Sequence, residues 1–72
     1  MDLQARDEEA MVRVAVADLD GRFPSLDATR IEVTVRRHVR EWFGRARVKA
    51  FVGIVAERHA RQELQDVATR TP

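Results

Sequence analysis

Asp18-Leu19-Asp20-Gly21 alternates carboxylates ahead of a glycine, the arrangement with which a calcium loop begins to wrap a hard cation. The spacing then fails, because Val16 stands where a further ligand is needed and Asp27 would have to replace a bidentate glutamate. A helix end explains these residues better. His38 and His59 are the two side chains whose ordinary titration lies near neutral pH, and they could converge as ligands or as a proton relay. Two histidines without neighbouring carboxylate or thiolate ligands make a poor metal site, so packed or boundary histidines are expected instead. Ser25 is the one serine, placed in a turn, and no GxSxG, GxGxxG or P-loop spacing exists. With no Cys, a disulfide framework, a thiolate metal site and a cysteine nucleophile are excluded. These residues predict a chain without catalytic residues, cofactor or metal.

The strongest rival feature is basic. Arg36, Arg37, Arg40, Arg45, Arg47 and Lys49 cluster in the middle of the chain, interleaved with His38, Trp42 and Phe43. On an exposed helix face and the turn after it they could neutralise phosphates, and three helices are a common DNA-binding frame. Against this, the domain is nearly neutral at +1, and the third helix, where a recognition helix would fall, is charge-balanced. Residues 1–20 hold six acids against two bases, a net −4, while residues 28–50 hold seven bases against two acids, a net +5. The arginines of the second helix can therefore answer the acids of the first, within the chain or across a dimer. Small nucleic-acid binding is the alternative reading.

Periodicity and punctuation predict the elements that carry these residues. Val12, Ala15, Val16, Leu19 and Phe23 form one stripe of a helix over about 7–22, with Asp7 as its N-cap; Gly21 loosens its end and Pro24 stops it. A second helix over about 27–43 opens at the cap Asp27 and buries Ile31, Val35, His38, Val39 and Trp42, with Gly44 as the C′ glycine. A third helix over about 47–67 presents Val48, Phe51, Val52, Val55 and His59 on one face, and Gly53 inside it implies a close neighbour. Local alternation at Val12–Val16 and Ile31–Val35 would suit strands, but the flanking helical registers outweigh it. The expected fold is all-α, a single antiparallel three-helix bundle, its core Leu19, Phe23, Ile31, Val35, Trp42, Phe51 and Val55, with residues 1–6 and 69–72 frayed. No apolar run approaches the ~20 residues that span a bilayer, and the acidic N-terminus lacks a secretory core, so a cytoplasmic protein with no membrane partner is expected.

These stripes leave apolar residues over. Ala10, Met11, Val14 and Ala17 form a second line on the first helix, Val33 sits on the back of the second, and Phe43 and Ile54 fall at stripe edges. A domain of 72 residues buries only about 60% of its unfolded surface and gains from a partner. Ala10, Met11, Val14, Val33, Phe43 and Ile54 are thus the candidate dimer interface.

Arg22-Phe23-Pro24, then Ile31 and Val35, then Val48-Lys49-Ala50-Phe51-Val52-Gly53-Ile54-Val55-Ala56-Glu57-Arg58-His59-Ala60-Arg61-Gln62-Glu63-Leu64, carry a family resemblance. Over about residues 10–65 the chain is similar to the actinobacterial three-helix bundle dimerization domain, in which an R-F-P element ends helix one and a V-x-x-F-V-x-x-L-V-E-R-x-A-R-x-x-L signature forms helix three. It departs from that pattern at Gly53, where proline is frequent, and at Ala56, which stands between Val55 and Glu57 where the signature has Val directly before Glu. Such domains occur alone or ahead of phosphatase-like arsenate reductase domains. The resemblance implies non-catalytic helical self-association, most simply a homodimer, with adaptor binding to another helical protein as a variant of the same role.

Overall fold

The computed structural model of the chain describes residues 3–70, and among them it contains three α-helices and no strand. Helix α1 spans Leu3–Arg22, α2 spans Ala28–Arg45 and α3 spans Val52–Arg70, with a single 3-10 turn at Lys49–Phe51 leading into α3. The expected all-α three-helix bundle is the fold. Met11 beside Gly53 and Asp18 beside Glu57 align α1 with α3 in one direction, and α2 returns between them.

The α1–α2 connection follows from its residues. Phe23 still donates its N–H to the Leu19 carbonyl at 2.9 Å, and Leu26 N–H then reaches the Phe23 carbonyl at 3.1 Å, closing a turn across Pro24 and Ser25. Asp27, in extended conformation, accepts from the Thr29 N–H at 2.8 Å and so satisfies one of the first-turn donors. Leu26 and Ile31, at N′ and N4 around that cap, occupy the positions of a hydrophobic staple, and both pack into or against the core. Here the sequence and the structure agree.

Three boundaries differ. α1 starts at Leu3, so Asp7 lies a turn inside the helix and caps nothing; residues 3–6, 69 and 70 are helical rather than frayed, while residues 1, 2, 71 and 72 lie outside the described residues. Gly44 is not a C′ residue. α2 continues through it to Arg45, because the Ala46 N–H bonds the Trp42 carbonyl at 2.9 Å, and no glycine takes a positive φ. The third helix begins at Val52, about a turn later than expected, because residues 49–51 wind as a 3-10 turn.

That turn changes the core. A 3-10 turn advances 120° per residue rather than 100°, so a stripe counted from Val48 is out of phase once α3 proper begins. α3 buries Val52, Ala56, Ala60 and Leu64, whereas Phe51 is 61% exposed and Val55 only half-buried. On α2 the buried line is Ile31, Thr34, Val35, Val39 and Phe43; Trp42 and His38 are half-buried at its edge. Phe43, 2% exposed, is the largest fully buried side chain and belongs to the core, not to an interface. With Val12, Ala15 and Leu19 from α1 these residues form one cluster.

Candidate interaction surface

α2 makes most of the helix-to-helix contacts, and α1 meets α3 more sparsely. Between α1 and α3 lies an open apolar groove of about 390 Å³, walled by Ala10, Met11 and Val14 on one side and Ala50, Gly53 and Ile54 on the other. Gly53 is what sets the width of the groove floor. A Cβ there would stand 3.3 Å from Met11 Cγ, so the glycine admits the methionine at the point where the sequence implied a close neighbour.

Four of the six candidate interface residues, Ala10, Met11, Val14 and Ile54, converge on this groove. Val14 is 69% exposed and Ile54 63%, unusual for aliphatic side chains so near one another. Val33 is also exposed, but on α2, away from the groove, and Phe43 is in the core. Sequence reasoning missed Ala50, Gly53 and Glu57 as groove residues; the signal for them was the helical glycine, with Ala50 three residues before it and Glu57 four after it on the same helical face. It also missed a smaller apolar hollow where exposed Val48 and Phe51 adjoin Trp42 and Arg45.

One end of the groove is acidic. Burial pushes the Glu57 carboxyl above the ordinary carboxylate range, and its hydrogen bond with Asp18 adds to the rise, while Arg22 and Arg61 oppose it. Asp18 is held low by Arg22, whose Nε lies 3.1 Å from its carboxylate, and by the same contact with Glu57. Asp18 and Asp20 do not chelate anything together: two residues apart on a helix, they point about 200° away from each other. The calcium-loop reading therefore has no geometry behind it.

His38 and His59 do meet, as a stack rather than a ligand set. Their ring centroids lie 6.2 Å apart, and His59 stacks in turn on Trp42 at 5.0 Å, with the Arg45 guanidinium 5.9 Å from the Trp42 centroid. Among the described residues no three His, Cys, Asp or Glu side chains are grouped to hold a metal. His38 Nε2 instead lies 3.0 Å from Glu63 Oε1, and Arg37 bonds the other oxygen of that carboxylate. Facing a carboxylate oxygen, Nε2 is the donor in this contact, while the buried Nδ1 has no hydrogen-bond partner.

Burial works to raise the Glu63 carboxyl, but the hydrogen bonds from His38 and Arg37 outweigh it and hold it below the ordinary range. A lowered carboxylate contributes stability above its unfolded pKa and loses it as pH falls through the folded one; a raised carboxylate such as Glu57 is favourable only at lower pH and is a net cost at neutrality. Glu63→Gln is expected to lower stability at pH 7 by about 1 kcal/mol, modest because the site is partly exposed. Glu57→Gln is expected to raise it. Both differences shrink toward about pH 3, and urea melts of the two variants at the two pH values check the opposite signs.

Three of the six candidate phosphate contacts are engaged in ion pairs. Arg36 bridges Glu9 of α1 and Glu32 of its own helix, Arg37 goes to Glu63 of α3, and Arg45 pairs with Glu41. Arg40 and Arg47 are exposed without an ion pair among the described residues, and the Lys49 side chain lies outside them. Charge segregation along the sequence thus resolves into interhelical pairs, one from α2 to α1 and one from α2 to α3. No described helix is long and apolar enough to cross a membrane. Comparison of the chain with protein-family models, with curated proteins and with solved structures finds no match.

Proposed function

We propose that this chain is a non-catalytic self-association module, a homodimer formed through α1 and the groove beside it. The observation that carries the reading is the convergence of exposed Val14 and Ile54 on one apolar groove of a bundle whose own core is already complete without them. A standard interface takes about 800 Å² from each partner, and the 5199 Å² surface of this bundle can supply that from one face. The resemblance to three-helix bundle dimerization domains supports the same reading, as does the small, Cys-free chain, which lacks disulfides and gains reinforcement from a second copy. An adaptor binding another helical protein would use the same groove. Nucleic-acid binding is disfavoured by the pairing of Arg36, Arg37 and Arg45 with carboxylates.

If folding is coupled to association, mass action makes thermal stability depend on protein concentration. The melting midpoint is expected to rise by several degrees between about 5 and 500 μM chain. A midpoint constant over that range contradicts the proposal.

A further inference from the structure

The outward side of α1 fixes how a second copy would sit. Ala10, Val14, Ala17 and Gly21 lie along one line opposite the buried Val12, Ala15 and Leu19, and all four are exposed. A Cβ on Gly21 would meet nothing within 4 Å. Flanking that line on one side stand Arg13 and Asp20, both exposed and without an ion pair or hydrogen bond among the described residues. α1's other charges are partly spent: Glu9 is taken by Arg36 and Asp18 by Arg22.

We propose that a second copy docks α1 antiparallel to α1, Val14 against the partner's Ala17 and Ala10 against the partner's Gly21, with Arg13 paired to the partner's Asp20. This rests on the self-association reading and adds its geometry. In an antiparallel pair, residues on a given flank meet the same flank of the other helix, so Arg13 and Asp20 are one another's neighbours across the two-fold axis. Register follows from charge. Sliding by one heptad in one direction brings Val14 to the partner's Ala10 and sets Arg13 against the partner's Arg13. Sliding one heptad the other way brings Ala17 to the partner's Gly21 and sets Asp20 against the partner's Asp20. Only the middle register joins opposite charges, twice by symmetry, and rejects its neighbours by repulsion. A parallel pair would crowd the acidic turns at Asp7 and Glu8 of the two copies together; the antiparallel pair holds them at opposite ends. On the other flank Met11 approaches the partner's Asp18, whose charge Arg22 already answers.

Charge exchange tests this. Sedimentation equilibrium should show Arg13→Glu and Asp20→Arg each weakening dimerization about tenfold, and the double variant restoring it to within about threefold of wild type. Circular dichroism should be unchanged, since both positions are exposed. Oxidation of mixed Val14→Cys and Ala17→Cys chains gives the register independently: the mixed disulfide should outnumber the Val14→Cys homodisulfide, which a parallel pair would favour. A wild-type dimer with no rescue in the double variant, or with the homodisulfide dominant, overturns the antiparallel register while leaving self-association standing. A wild-type monomer overturns both.

Discussion

Phe43→Ala is expected to remove about 3–5 kcal/mol of folding stability, the cost of deleting a fully buried aromatic side chain and leaving a cavity. At roughly 0.05–0.15 kcal/mol per residue, 72 residues hold about 4–11 kcal/mol in total, so this one change takes much of it. Phe43 is 2% exposed and sits in the last turns of α2, at the end of the bundle farthest from the Asp27 cap. Trp42→Ala, one residue away, is expected to cost less despite the larger ring, because Trp42 is half-buried and its outer face stacks on the exposed His59. Denaturant melts of the two variants measure the difference, and a larger loss from Trp42→Ala would put the α2 register on the other side of that pair.

Val14→Glu is expected to do the reverse: leave the fold intact and abolish association. Val14 is mostly exposed, so its loss costs the isolated bundle no more than about 0.5 kcal/mol, and glutamate is at least as good a helix former. In the dimer the same substitution places two carboxylates against an apolar face without partners. Burial of an unpaired charge there should weaken the dissociation constant on the order of 100-fold. Val33→Glu is the control, since Val33 is comparably exposed but lies on α2 away from the groove. Circular dichroism and light scattering on the same samples separate folding from association.

The contrast between Phe43 and Trp42 also shows which parts of the structure the sequence made legible. The helix count, the Asp27 cap, the Pro24 stop and the α1 stripe could be read because each depends on a few neighbouring residues. The face of α3 could not, since it depends on where the helix begins, and three residues of 3-10 winding shift the phase enough to exchange Phe51 and Val55 for Ala56 and Ala60. Gly44 misled for a similar reason: it resembles a terminator, but α2 retains its hydrogen bonds past it. The groove was half legible. Its α1 wall followed from surplus apolar positions, whereas its α3 wall exists because Gly53 takes Met11 at close range and small residues keep the two helices from filling the space. The fate of the basic residues was legible only as a total; which carboxylate each arginine meets is a matter of three-dimensional register, and Arg37 turns to α3 rather than α1.

The most direct measurement is the mass of the unmodified chain in solution by multi-angle light scattering over tens to hundreds of micromolar. Self-association through α1 predicts twice the 8.3 kDa chain mass at the upper end, with Val14→Glu held at the single-chain value. A wild-type mass of 8.3 kDa at high micromolar concentration would contradict it.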